Sequence, residues 1–429
     1  MVSPMSLSAV TPLPSAAMVD PAVPPLHVPR RASVIGSRRW VFTLAAMTGV
    51  TALSIDMSLP AQPTLARVFD VTADTAQLNL SLFMIGFAIA QLVMGYASDV
   101  WGRRRILLGG LALYTLAALA CAAAPTIEVV LACRVLQGIG ASAAPVVARA
   151  MVRDTQPAAA AARLLSTMLA TLALAPMLAP SLGGVLLAAF GWRAVFATLA
   201  VSGGILLVLA HQTLSETLTH DRRLQASPGG LVRGYRTFFA TPGTRLPMLI
   251  SCTSFAGQFA YIAVSPFVLL QGYGASTQAF GIYFGSTALA LMLGSIGGAR
   301  MLRAGRSLRG MILLGTSLIF VGAVLITVGT RVPGFGIAGF LAPMILYFFG
   351  VGLAAPSASA LALEPVAHIA GTASAAIGFL TMISGALAGY ATALIGGSDP
   401  RTFALVVTVM GATAAALGLA VARHPPPRR

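Results

Sequence analysis

Few residues in this chain can do chemistry, and most of them stand in apolar surroundings. Asp56 is an acid within the apolar run Ser54-Ile55-Asp56-Met57-Ser58-Leu59-Pro60. Holding an anion there is costly, which suits the group to taking up and releasing a proton. The plain alternative is a helix-end aspartate wetted from outside. Arg134 opens Arg134-Val135-Leu136-Gln137-Gly138-Ile139-Gly140, also inside an apolar stretch. A cation so placed costs roughly 2.5 kcal/mol or more, so it should face other helices and be held by a partner. That partner is either Asp56, at a matching depth, or backbone carbonyls with Glu128 near the start of the same helix. Asp99 precedes three arginines in Gly95-Tyr96-Ala97-Ser98-Asp99-Val100-Trp101-Gly102-Arg103-Arg104-Arg105. There a carboxylate can meet guanidinium groups and a helix N-terminus, or simply belong to a solvated turn. Pro176 and Pro180 free backbone carbonyls, and Gly183 and Gly184 beside them admit a close neighbouring helix. Gln91, Gln137, Gln258 and Tyr261 are polar candidates for lining a cavity, or for hydrogen bonding between helices. The sequence has no His-Glu-x-x-His and no Gly-x-Ser-x-Gly. An enzyme is not expected, nor a cofactor or metal site.

The elements that hold these groups must be helices in lipid. Of 429 residues, 57% are hydrophobic and only 9% charged, with a mean hydropathy of +0.87. Soluble domains carry about 25% charged residues. A secreted disulfide scaffold, a disordered regulator and an ordinary cytosolic enzyme are thereby excluded. Cys121, Cys133 and Cys252 all lie in apolar stretches and read as small filler. Twelve apolar segments follow one another, at 40–60, 76–97, 105–124, 128–148, 163–188, 193–211, 246–270, 278–300, 310–330, 335–362, 370–395 and 402–422. Each is about 20 residues, the length of a membrane span. The chain divides into a disordered tail (1–37), a six-helix half (38–211), a polar central loop (212–245), a second six-helix half (246–422) and a short tail (423–429). Ser37-Arg38-Arg39-Trp40 faintly resembles a twin-arginine signal, but the run after it is long enough to span and no cleavage site follows. An uncleaved first span is expected.

The net charge of +16 comes from 27 basic residues, all arginine. Only Arg67, Arg193, Arg331 and Arg401 fall on one side of the predicted bundle, and Arg134 lies inside it; the other 22 fall opposite. This asymmetry is the positive-inside pattern, which puts both termini in the cytoplasm and removes the reason to invoke nucleic acid. Trp40, Trp101 and Trp192 fall at span ends, as interfacial anchors would. Gly95, Gly102 and Arg103 recur as Gly298, Gly305 and Arg306, each shifted by 203 residues. A shift near half the chain suits a parallel repeat.

Together the motifs resemble the major facilitator superfamily, whose fold is twelve transmembrane helices in two six-helix halves. The loop from Gly95 to Arg104 is similar to its signature, with Val100 where a basic residue is usual. The segment from Arg134 to Gly140 is similar to its Arg-x-x-Gln-Gly-x-Gly. The run Ala175-Pro176-Met177-Leu178-Ala179-Pro180-Ser181-Leu182-Gly183-Gly184 resembles its antiporter signature, with Ala175 and Ala179 in place of glycines. The first span, Arg149-Ala150-Met151-Val152-Arg153-Asp154, Gly191-Trp192-Arg193 and Ala370-Gly371-Thr372-Ala373-Ser374-Ala375 resemble the bicyclomycin/chloramphenicol-resistance (Bcr/CflA) branch of drug:proton antiporters. Ser58 stands where that branch often has an aromatic.

The resemblance implies a proton-driven multidrug exporter of the bacterial inner membrane, working by alternating access. It assigns proton coupling to Asp56 and Arg134, facing one cavity and interacting in at least one state. It makes Gly95, Asp99, Gly102, Arg103 and Arg104 a conformational latch between the halves. Leu302 replaces Asp99 in the repeat, so the latch is asymmetric. Pro176, Pro180, Gly183 and Gly184 form the antiporter motif. The expected partners are a small-molecule drug, protons and membrane lipid, with a monomeric chain and the proton gradient as energy source. The alternatives are a proton-coupled importer or metabolite exporter of the same fold and, from other classes, a receptor or structural protein.

Overall fold

The computed structural model describes residues 37–156, 158–218, 228–332, 334–395 and 399–423. Helices start where the sequence supplies a cap. Ser37 Oγ accepts the Trp40 N–H at 3.2 Å, and Thr72, Ser276 and Ser307 serve Thr75, Ala279 and Gly310 likewise. Asp399 accepts from the Thr402 N–H at 2.9 Å. The spanning helices of the first half are Arg38–Asp56, Ala73–Trp101, Arg103–Ala123, Ile127–Thr155, Ala158–Phe190 and Trp192–Thr213. Those of the second half are Pro242–Pro266, Thr277–Arg303, Leu308–Gly329, Gly336–Leu363, Ala370–Leu394 and Pro400–Arg423. They are numbered first to twelfth in that order. Among the described residues, eleven are long and apolar enough to cross a membrane. The fifth is a continuous 33-residue helix with Pro176 and Pro180 inside it.

Both halves are wired alike. The second helix packs on the fourth, the third on the fourth and sixth, and the first on the fifth. The eighth packs on the tenth, the ninth on the tenth and twelfth, and the seventh on the eleventh. The sequence repeat has a matching geometry. Gly95 faces Val146 of the fourth helix, and Gly298 faces Leu353 of the tenth. Gly102 and Gly305 take positive φ values, 96° and 86°, at equivalent turns, where only glycine is unstrained. The halves meet along two seams, second helix on eleventh and fifth on eighth. Alternating helix directions collect Arg38, Arg103, Arg153, Arg245, Arg303 and Arg309 at one end of the bundle, and Arg67, Arg193, Arg331 and Arg401 at the other.

Three expectations change. The first span is not one helix: it ends at Asp56, turns through Leu59–Ala61 and resumes over Gln62–Val68, because Pro60 and Pro63 lack the N–H a helix needs. The polar central stretch contains a helix, Pro228–Ala240, whose Phe238 is buried while Arg233 and Arg236 face outward. Pro228, Gly229, Gly230 and Gly234 make the segment read as a loop along the chain. Trp40 and Trp192 are 1% and 4% exposed, so they are packing residues, and only Trp101 stands open. The residues 1–36 of the expected tail lie outside the described residues. The three cysteines are free and buried.

Candidate functional site

Asp56 is the last residue of the first helix and 4% exposed. Its carboxylate has no hydrogen-bond or ion-pair partner among the described residues. Immediately after it, the Met57 carbonyl lies where a Cβ on Gly183 would stand, so no other residue could occupy that position without moving the first helix. Gly184, next in the run from Pro176 to Gly184, faces Thr277 of the eighth helix, whose carbonyl would be 3.1 Å from an added Cβ. Gly281 in turn faces Ser181. The motif therefore sits between the break in the first helix and the opposite half, at the Arg-poor end. Small residues here let three backbones converge beside the lone acid.

Arg134 is fully buried, and its fork is shared among three helices. Nε donates to the Asn79 carbonyl at 3.1 Å, Nη1 to Gln137 Oε1 at 2.7 Å, and Nη2 to the Ser54 carbonyl at 3.3 Å. The guanidinium carbon lies 4.3 Å from the centre of the Phe83 ring. Ser54 Oγ and Tyr114 Oη add a 2.7 Å hydrogen bond from the first helix to the third. Gly138 and Gly140 make this possible, since side chains there would strike Phe83 and Tyr114 backbone atoms. The ion pair expected between Asp56 and Arg134 is not formed in this conformation. Asp56 is two residues from Ser54, a rotation of about 200° around the helix, so its side chain leaves the side that holds Tyr114. Glu128, the other acid considered, is exposed. Carbonyls and an amide hold the cation instead.

The cavity candidates separate. Tyr261 is 0% exposed and ringed by Phe284, Phe340, Phe348 and Phe403, with centroids 5.3 to 6.4 Å away. It belongs to the aromatic core of the second half. Gln137 gives its oxygen to Arg134, while its Nε2 has no partner. Gln91 lies on the seam with the eleventh helix, its Oε1 3.1 Å from where a Cβ on Gly378 would be. Gln258 is half-buried. Sequence reasoning passed over Gln62, Gln77, Asn79 and Ser81, all buried, with side-chain polar atoms that have no hydrogen-bond partner. Their signal was available as polar residues within or beside apolar runs.

At the Arg-rich end, Gly102 turns the chain so that Arg103 meets Asp99 at 2.5 Å, Ser98 Oγ at 2.6 Å and Asp154 of the fourth helix at 3.1 Å. Glu216, just past the sixth helix, accepts the Arg103 and Arg104 backbone N–H groups at 3.0 and 3.3 Å. It caps the third helix from a distance of over a hundred residues, where the positive end of the dipole favours a carboxylate. Arg104 returns bonds to the Leu214 and His211 carbonyls, 2.9 Å each. All these partners of Asp99, Arg103 and Arg104 lie in the first half or the segment leaving it. Among the described residues, these contacts form an interlock within the first half and the segment leaving it. Asp154 and Glu216 carry much of it, and neither had been given a role in it. Asp99 is more open than the other carboxylate paired with the Arg103 side chain, its side chain 43% accessible against 13% for Asp154. Asp154→Asn should therefore slow turnover more than Asp99→Asn, and Glu216→Gln should lower the unfolding temperature by weakening the cap. Transport rates and thermal unfolding of the three variants check this.

Residues 44–389 match the Major Facilitator Superfamily. The chain belongs to that superfamily. A superfamily member is a multi-pass membrane transporter rather than an enzyme, which agrees with the twelve helices and their two-half wiring. The chain is 35% identical over 353 residues to an uncharacterized MFS-type transporter of Bacillus subtilis (81% of this chain, 86% of the relative). It is 29% identical over 391 residues to a chloramphenicol resistance protein of Pseudomonas aeruginosa (88% of each). Among solved structures, a D-xylose-proton symporter superposes with a TM-score of 0.71 at 17% identity, covering 90% of this chain and 98% of the symporter. That last likeness concerns the fold.

Proposed function

We propose that this superfamily member is a proton-driven antiporter that exports small amphipathic drugs, chloramphenicol-like compounds among them, across the inner membrane. The observation that carries the proposal is the buried carboxylate of Asp56 at the break in the first helix, without a partner among the described residues, with Gly183 of the antiporter-like motif packed on the next carbonyl. In this reading the two halves rock about their seams. Asp56 takes a proton when the Arg-poor end opens and gives it up when the Arg-rich end opens, and drug travels the other way. The arginine bias supports a cytoplasmic Arg-rich end with both termini inside. The resistance protein among the relatives supports the substrate class. The test is purified chain in proteoliposomes with an imposed pH gradient. Chloramphenicol should move against its own gradient, with protons moving oppositely, and a protonophore should stop it. Movement of drug and protons in the same direction, or transport indifferent to the gradient, overturns the proposal.

A further inference from the structure

The helix Pro228–Ala240 between the halves is used by none of the chemistry above. It contains no acid, and its Arg233 and Arg236, with Thr237, Ala240, Thr241 and Pro242, line an open cavity of about 480 Å³. Arg245 folds back to the same end, its Nε donating to the Phe239 carbonyl at 3.2 Å. Beside the arginines on the helical wheel stand Val232, 66% exposed, and Phe239, 43% exposed. The opposite face is anchored: Phe238 is buried, Gly234 lies against Thr372 at the start of the eleventh helix, and Tyr235 Oη donates to the Leu92 carbonyl at 3.2 Å. Leu92 is nine residues short of the end of the second helix, about 13 Å at 1.5 Å per residue. The linker helix therefore lies below the tip of the second helix, at the level where the eleventh begins. An arginine face with an apolar edge at that depth is the pattern of a helix lying in the headgroup layer.

We propose that the Arg233–Arg236 cavity binds the phosphate of an anionic glycerophospholipid, with Val232 and Phe239 turned to its acyl chains. Guanidinium groups suit phosphate oxygens, and the surplus of positive charge selects a headgroup with net negative charge. Because the same helix touches Leu92 and Thr372, on the two helices of one seam, a bound lipid steadies that seam from the membrane side. The test is native mass spectrometry of the full-length chain in detergent, titrated with phosphatidylglycerol, phosphatidylcholine or inorganic phosphate. The wild-type chain should retain one phosphatidylglycerol more strongly than phosphatidylcholine, and inorganic phosphate should not displace it. R233Q/R236Q should weaken that binding by roughly fivefold per arginine, about 25-fold together. R300Q/R303Q, a pair at the same end of the bundle, should leave it unchanged. Equal loss in both double variants, equal retention of phosphatidylcholine, or displacement by inorganic phosphate each overturns the proposal, the last by assigning the cavity to a soluble anion.

Discussion

Asp56→Asn should abolish proton-driven transport and leave the folded protein intact. The side chain makes no hydrogen bond or ion pair among the described residues, so an isosteric amide breaks no contact. What it removes is the capacity to lose a proton. The variant resembles the protonated state permanently, so steps that do not require deprotonation should survive. Proteoliposomes carrying the variant should exchange labelled for unlabelled drug across the membrane, yet fail to accumulate drug against its gradient when the pH gradient is imposed. Thermal unfolding in detergent should match wild type. Full gradient-driven transport by the variant would remove Asp56 from the coupling mechanism.

Arg134→Lys should be nearly as damaging, for a different reason. Lysine keeps the charge but not the planar fork that reaches Asn79, Gln137 and Ser54 at once. Losing two of three charge-assisted bonds, at about 1.5–3 kcal/mol each, predicts a stability loss of about 3–6 kcal/mol. The expected result is a lower unfolding temperature together with lost transport, which separates this variant from Asp56→Asn. A double-mutant cycle decides whether the two residues ever meet. In the present conformation they are unpaired, so their effects on stability should add. A large coupling in transport alone would show that they pair in another state of the cycle.

The sequence was sufficient for whatever depends on short-range chemistry. Twelve runs of apolar residues must be helical in lipid, since each carries its backbone hydrogen bonds internally. Ser37, Thr72, Ser276 and Ser307 start helices because a hydroxyl can reach an N–H three residues on. Gly102 and Gly305 mark their turns because a positive φ strains any other residue. The motifs placed the chain in its superfamily for the same reason: their glycines, prolines and charges are constrained locally. The helix at 228–240 reads as loop along the chain because Pro228-Gly229-Gly230 and Gly234 are turn formers and it is too short to span.

Partners across the bundle were another matter. Nothing in the run from Arg134 to Gly140 says that its cation will rest on carbonyls of the first and second helices and not on Asp56. That outcome depends on how the helices are rotated against one another, which Gly183 sets against Met57 at the end of the first helix, and Gly138 and Gly140 set for the fourth helix against the second and third. Nothing near Glu216 says that it will cap a helix beginning at Arg103. Tyr261 reads as a polar cavity residue along the chain and is enclosed by four phenylalanines from three other helices. Local sequence determines what a segment can be; which groups it meets is decided by packing, where one helix rotation moves every side chain on it to a different neighbour.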